Sequence, residues 1–155
     1  MAYPTDIDNA SIGRTVLVDP TTGQPLNTAA GIPVDPLPAG ATALSTGTVG
    51  AATPMAAVLA AASGKTNYIS GFQVTGMGAS TAVGALVTVT GLLGGTMPYY
   101  VAVPVNTALS GITPLVVKYD PALPASAASL NIQVNIPSFG SGNTAAAVSA
   151  QGYRR

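Results

Sequence analysis

The segment Leu130-Asn131-Ile132-Gln133-Val134-Asn135-Ile136 decides the fold class, because apolar and amide side chains alternate along it without interruption. Neighbouring residues of a β-strand point to opposite faces of a sheet, so the four apolar side chains share one face and the three amides share the other. A helix would mix the two sets on every side. Pro137, Gly140 and Gly142 follow and end the strand. The pattern therefore predicts a strand with one buried face.

Five further stretches downstream of residue 66 have strand character. Connectors rich in Gly and Pro separate them: Gly91 with Gly94-Gly95, Asp120-Pro121 with Pro124, and the run 140–143. Short strands at such intervals are typical of an all-β sandwich or barrel. The sequence thus predicts an all-β fold with an antiparallel β-sandwich or jelly-roll-like body. The further strands are 67–75, 85–90, 97–103, 114–119 and 145–153.

The apolar faces of these strands form the predicted core, and their opposite faces carry almost no charge. Thr, Ser, Asn, Gln and Ala stand where charged residues usually protect a solvent-exposed sheet from edge pairing. This composition favours an oligomer in which sister subunits cover the uncharged faces. The predicted core residues are Tyr68, Phe72, Val74, Val87, Val89, Tyr99, Val101, Val103, Leu115, Val117, Tyr119, Leu130, Ile132, Val134 and Ile136.

The segment 53–63 fits two structures. Thr53 followed by Pro54 suits the start of a helix, and the Ala-rich run has helical propensity. The all-β surroundings favour a strand instead, paired with 67–75 across the turn Ser63-Gly64-Lys65-Thr66.

Residues 1–50 are predicted to form an extended N-terminal arm, and residues 51–155 the body. Within the arm, the strand-like run 15–18 is followed by the turn sequence 19–23, which predicts a short hairpin near 14–28. The segment 27–43 contains three prolines and is predicted to be extended. Such an arm is either a disordered tail in the free protein or a segment that becomes ordered on a partner.

The amino-acid composition limits the structural classes to which the chain can belong. Five cations and five Asp are the only charged residues among 155, and the formal net charge is zero. Weak mutual repulsion favours association. Apolar runs are interrupted every few residues, so no membrane-spanning helix is expected, and the acidic N-terminus lacks the basic region of a secretory signal. Without Cys there is no disulfide framework and no thiolate metal site.

Motifs for catalysis and cofactor binding are incomplete. The sequence has no His to act as a base beside a nucleophile, and a single Asp stands in the strand region, so neither an enzyme activity nor a cofactor is predicted. The sequence of residues 63–66 resembles the end of a phosphate-binding loop. Leu59, however, occupies the position of that motif's first Gly, which favours a simple turn.

The remaining charged residues do not form a recognisable site. Asp6 and Asp8 offer too few oxygens for calcium and are expected to be solvated or paired with Arg14. Arg154 and Arg155 form a basic pair but not a basic patch along the sequence, so nucleic-acid binding is not expected.

Three phrases resemble head proteins of tailed bacteriophages: TVLVDPTTGQP at 15–25, GKTNYISGF at 64–72 and VNIPSFGSGNT at 134–144. With the strands between them, the resemblance extends over roughly residues 14–153. It implies a capsid decoration (cement) protein, a trimeric β-sandwich on the outside of the virion head whose partner is the major capsid protein. It implies no catalytic residues. The scattered cations and the interrupted apolar runs separately argue against nucleic-acid and membrane partners.

This hypothesis assigns the arm to contacts that bridge coat subunits, since an extended segment pairs its backbone with neighbouring strands without special side chains. The candidate coat or subunit contacts are Asp6, Asp8, Arg14, Val16, Leu17, Val18, Arg154 and Arg155.

Two alternatives remain. A head-fibre or tail adhesin module would bind a host glycan through exposed aromatic residues, and one residue of the pair Tyr99-Tyr100 is expected to point outward from its strand. A collar or tail-completion protein would share the fold and composition but would be present in far fewer copies per particle.

Overall fold

This computed structural model describes residues 37–51, 53–105 and 111–155. More buried and more exposed residues alternate along most of its strands. The strands are β1 (Thr42–Gly50), β2 (Met55–Leu59), β3 (Asn67–Gly76), β4 (Val83–Leu92), β5 (Gly95–Val103), β6 (Leu115–Pro124), β7 (Ile132–Ile136) and β8 (Ala146–Arg154). No helix occurs in the described residues. The predicted all-β fold is therefore confirmed.

The strands form two four-stranded sheets that face each other as a sandwich. Sheet one has the order β1-β8-β3-β6, and sheet two has the order β2-β7-β4-β5. Every strand pair is antiparallel, and β1 pairs with β8, β2 with β7, β3 with β6 and β4 with β5. This nested pairing is the arrangement of a jelly roll, in which one long hairpin is wound into two sheets.

The core lies between the inner faces of the two sheets. Val87 and Val89 of β4 and Ile132 and Val134 of β7 have no exposed surface, as their alternation predicted. Val101 and Val103 of β5 are also buried. Burying each such side chain stabilises the fold by roughly 1.5–3 kcal/mol.

Two of the predicted core residues lie elsewhere. A β-bulge between Ile69 and Gly71 shifts the register of β3, so Ile69 joins Phe72 in the core. Tyr68 is half-buried and pairs with Tyr153 instead. Leu130 is 44% exposed because it precedes β7. A period-two pattern does not reveal a bulge, which explains the wrong prediction for Tyr68.

The strand interpretation of 53–63 is confirmed by β2, but its predicted partner is wrong. β2 pairs with β7 in sheet two, whereas β3 belongs to sheet one. The turn at 63–66 is present: the Lys65 N–H donates to the Ala62 carbonyl at 3.1 Å, and Gly64 has a φ of 67°. The turn belongs to a connection that crosses between the sheets and not to a hairpin.

Residues 42–50, which the sequence placed in the arm, form β1 and pair with β8 along their whole length. Their inward positions hold Leu44, Thr46, Thr48 and Gly50, so the apolar alternation that marks the other strands is weak. The predicted connector 120–124 is also part of a strand, because β6 continues to Pro124. The predicted hairpin near 14–28 lies outside the described residues.

Candidate interaction surfaces

The jelly-roll winding collects the loops at two ends of the sandwich. The β2–β3, β4–β5 and β6–β7 connections meet at one end. There the Ser129 N–H donates to the Lys65 carbonyl at 2.8 Å, and the Ser126 N–H donates to the Gly91 carbonyl at 2.9 Å. The start of β1 and the end of β8 lie at the same end, since Thr42 is paired with Arg154.

We call this first end the basic end, because it carries three cations, Lys65, Arg154 and Arg155. Thr66 and Arg155 exchange backbone hydrogen bonds of 2.9 and 3.2 Å, which places the Lys65 turn beside the last residues of β8. Lys65 and Arg155 are exposed, and Arg154 is half-buried. No ion pair joins any of the three to another residue within the described ranges.

Arg155 is held by an aromatic stack on sheet one. Its guanidinium carbon lies 5.3 Å from the ring centre of Tyr68. That ring stacks on Tyr153, with centroids 4.9 Å apart and planes within 13°. A guanidinium is planar, and a carboxylate can accept hydrogen bonds from two of its N–H groups. Arg155 beside this aromatic pair is therefore a group suited to binding an acidic side chain.

A buried amide holds the loops of the basic end together. Asn67 has no exposed surface, and its Nδ2 donates to the carbonyls of Leu59, Ala60 and Leu130 at 2.9, 3.0 and 3.1 Å. One side chain thus connects β3 to the loops on either side of it. Its Oδ1 is buried without a hydrogen-bond partner.

The opposite end is formed, among the described residues, by 51, 53–54, 77–82, 104–105, 111–114 and 137–145. These residues include no charged side chain, and we call this end the uncharged end. Its loops are joined in the same way as those of the basic end. The Ser80 N–H donates to the Ser141 carbonyl at 2.7 Å, and the Ala79 N–H donates to the Pro104 carbonyl at 3.1 Å. A second buried amide, Asn143, donates to the carbonyls of Met77 and Ala145.

An open cleft of about 690 Å³ lies where sheet one reaches the uncharged end. Its side chains are aliphatic or bear hydroxyls, and Val49 beside it is 81% exposed. Such a lining suits an apolar group. The cleft is lined by Val49, Gly50, Ala51, Thr75, Gly76, Met77, Gly111, Thr144, Ala145, Ala146 and Ala147.

The outward side of sheet two is free of charge across all four strands, and we call it the uncharged face. Tyr100, which is 77% exposed, lies opposite Leu86, which is 40% exposed. Tyr100 points outward while Tyr99 packs inward, as predicted. The face consists of Ala56, Val58, Gly84, Leu86, Thr88, Thr90, Pro98, Tyr100, Ala102, Gln133 and Asn135.

A pair of tyrosines connects the two sheets where β5 and β6 form their edges. The hydroxyls of Tyr99 and Tyr119 are 2.8 Å apart, and Phe72 packs edge-on against Tyr99 at 5.2 Å between centroids. Burial raises the pKa of Tyr119 far above its usual value of 10.0, and the hydrogen bond to Tyr99 raises it further. The Tyr119 hydroxyl therefore keeps its proton for this bridge at neutral pH. The sequence pattern did not single out the pair.

The structure describes only two of the predicted contact residues, and it places both at the basic end. Arg154 and Arg155 are joined there by Lys65, which the sequence analysis treated as a turn residue. The other predicted contacts, Asp6, Asp8, Arg14, Val16, Leu17 and Val18, lie outside the described residues. Only long-range pairing brings Lys65 beside Arg155, so no local signal in the sequence reveals this cluster.

Neither a metal centre nor a membrane span was found in the described part of the chain. The described residues contain no group of three or more His, Cys, Asp or Glu that could hold a metal ion. They also contain no helix that is long and apolar enough to cross a membrane.

Comparison with known proteins gives no significant match to a family model, to a curated protein or to a solved structure. The function is therefore argued from the surfaces themselves.

Proposed function

We propose that this protein is a decoration (cement) protein of a tailed bacteriophage, which binds the outer surface of the virion head as a homotrimer and stabilises contacts between major capsid subunits. The uncharged face is the observation that carries this proposal. A four-stranded outer face without one charged side chain is unusual for a free monomer, because charges normally protect sheets from unwanted association.

Tyr100 and Leu86 are exposed large apolar side chains of that face and lie toward its β5 edge. Exposed apolar groups beside neutral polar ones are typical of protein interaction sites. Thr88, Gln133 and Asn135 provide hydroxyls and amides on the two inner strands, β4 and β7. We assign this face to contacts with sister subunits or with the coat, where neighbours remove it from solvent.

The N-terminal arm has the second role in this proposal. Pairing of its backbone with strands of the coat would link subunits without special side chains. Because many copies bind to one lattice, contacts that are individually modest add up to firm attachment. Asp6, Asp8, Arg14 and the run 16–18 are the contacts proposed for the arm.

Quantification of the protein in purified virions tests the proposal. A decoration protein is present in many copies per head, in fixed ratio to the major capsid protein. A few copies per particle would instead indicate a collar or tail-completion protein, and absence from the virion would refute the structural role.

The uncharged face is tested by binding to undecorated heads. Tyr100→Asp places a charge at the exposed aromatic position of the face, and we expect binding to fall at least about tenfold, since a buried unpaired charge costs several kcal/mol. Ser149→Asp is the matched control, because Ser149 is exposed on the outward side of sheet one. Equal loss of binding in both variants would contradict the assignment.

Glycan binding by a head-fibre or tail adhesin module is the second candidate. It is favoured by the exposed ring of Tyr100 and by the occurrence of jelly rolls among lectins. A glycan array with the isolated protein separates the two functions. Binding to a defined glycan that Tyr100→Ala abolishes would support the adhesin, and an array without signal would favour decoration.

A further inference from the structure

The charges of this chain are divided between its N-terminal segment and its body. Residues 1–36 contain four Asp and one Arg, a formal net charge of −3. The described residues contain four cations and the single Asp120, a formal net charge of +3. The zero net charge of the whole chain thus conceals two oppositely charged parts.

Folding concentrates the positive charge further. Three of the four described cations, Lys65, Arg154 and Arg155, lie at the basic end, and the fourth is Lys118 on β6. The reciprocal backbone hydrogen bonds between Thr66 and Arg155 bring the three together. Among the described residues none forms an ion pair with them. The basic end therefore carries three cations that have no ion-pair partner among the described residues.

We propose that the basic end binds the acidic N-terminal segment, residues 1–36, of a second copy of this chain. Charge complementarity identifies the occupant, since this segment carries four of the five carboxylate side chains. The inference rests on the proposed function only in requiring that copies lie side by side.

The position at which the chain enters the body lets the segment reach the basic end of a copy that adjoins there. Thr42, the first residue of β1, is paired with Arg154, so the N-terminal segment leaves the body at the basic end. Copies arranged around an axis near this end each donate a segment to one neighbour and accept a segment from the other. Such a head-to-tail exchange closes into a ring, as a cyclic oligomer requires.

Arg155 is the best-prepared acceptor at this surface. Its guanidinium carbon lies 5.3 Å from the ring centre of Tyr68, and its planar set of N–H donors can bind a carboxylate through two hydrogen bonds. Each exposed ion pair contributes little, and salt screens it. Several pairs in each of several copies act together, so the contact is expected to be strong in the assembly and sensitive to ionic strength.

Two full-length variants with complementary defects test the exchange. The first, Asp6→Asn with Asp8→Asn, Asp19→Asn and Asp35→Asn, keeps the basic end but loses the acidic residues. The second, Lys65→Gln with Arg154→Gln and Arg155→Gln, keeps the acidic segment but loses the basic end. Sedimentation velocity at low salt measures assembly size for the wild type, each variant and their equimolar mixture.

We expect each variant alone to associate about tenfold more weakly than the wild type, because the first lacks the acidic side and the second lacks the basic side of the same contact. The mixture should regain larger assemblies, since one variant supplies the segment and the other supplies the basic end. High salt should abolish this gain. Lys118→Gln, which removes a cation outside the basic end, should associate like the wild type, and circular dichroism should confirm that all variants fold.

A mixture no larger than its components would overturn the proposal. It would also be overturned if both variants associated as tightly as the wild type, or if the wild type stayed monomeric because the segment binds within its own chain. These measurements need no virus particle. Failure of the exchange therefore leaves the decoration role standing, and absence of the protein from virions leaves the exchange standing.

Discussion

The basic end and the uncharged end of the sandwich are built alike but differ in what they display. Each end is closed by one buried amide that donates to backbone carbonyls of adjoining segments, Asn67 at the basic end and Asn143 at the uncharged end. Only the basic end carries charged side chains. The comparison indicates that the buried amides close the ends and that the three cations are not needed for closure, because the uncharged end closes without charged side chains.

The largest expected effect comes from the core that both ends share. Ile132→Asp places a carboxylate where no surface is exposed, and we expect the chain to lose about 4 kcal/mol of stability or to remain unfolded. Denaturant unfolding measures this loss. Gln133→Asp on the outward side of the same strand is the control, with an expected change below about 1 kcal/mol. Similar losses in both variants would contradict the assignment of the two faces of β7.

Substitution of each buried amide tests whether the two ends of the sandwich close independently. Asn67→Ala leaves three carbonyls without their donor, and we expect a loss of about 3 kcal/mol. Asn143→Ala should cost about 2 kcal/mol, since two carbonyls are affected. Hydrogen exchange should rise at 60–66 and 125–131 in the first variant, and at 77–82 and 137–145 in the second. Faster exchange at both ends in either variant would show that the ends do not close independently.

The tyrosine bridge predicts a dependence on alkaline pH. The pKa of Tyr119 is raised in the folded state above its ordinary value of 10.0, so its stabilising effect is complete below pH 10 and is lost as the pH rises further. Tyr119→Phe should reduce stability by about 1 kcal/mol at neutral pH and weaken the alkaline loss. Melting temperatures between pH 7 and pH 11, with exposed Tyr100→Phe as the control, check this. An unchanged alkaline profile in Tyr119→Phe would exclude the bridge as its cause.

The smallest effect concerns the stack at the basic end. Arg155→Gln removes the cation over Tyr68, and we expect a loss of about 0.5 kcal/mol of stability with a change in the tyrosine near-ultraviolet circular dichroism. Lys118→Gln should leave both unchanged. If the two variants behave alike, the guanidinium does not rest on the ring in solution.

Local pattern predicted the parts of the fold that follow simple alternation. Residues 132–136 and 97–103 alternate cleanly, and both strands lie where the pattern placed them. The strand β1 was missed because Thr46, Thr48 and Gly47 blur the apolar period. Tyr68 was assigned to the wrong face because a bulge reverses the faces within β3. The alternation of apolar and polar residues describes each strand by itself, and it does not show where a bulge inserts an extra residue.

Surfaces that form where strands distant in the sequence pair could not be predicted from the sequence. The partner of β2 is β7 and not its neighbour β3, a choice set by the packing of the whole sandwich. Lys65 meets Arg155 for the same reason. Composition did indicate that the sheet faces lack charge, and the uncharged face agrees with that indication. The outward position of Tyr100 follows from the period of two along its strand, whereas the extent of the face across four strands follows only from the sheet topology.

The pairing of β1 with β8 also has a consequence for biosynthesis. β1 is made first, but its only partner within the sheet is made last, so the strand leaves the ribosome long before it can be paired. Topologies dominated by such distant pairings fold slowly. During that interval β1 is an unpaired, uncharged strand, and nascent chains on the same message meet at high local density. We expect ribosome-associated chaperones of the producing cell to protect this strand until β8 is complete.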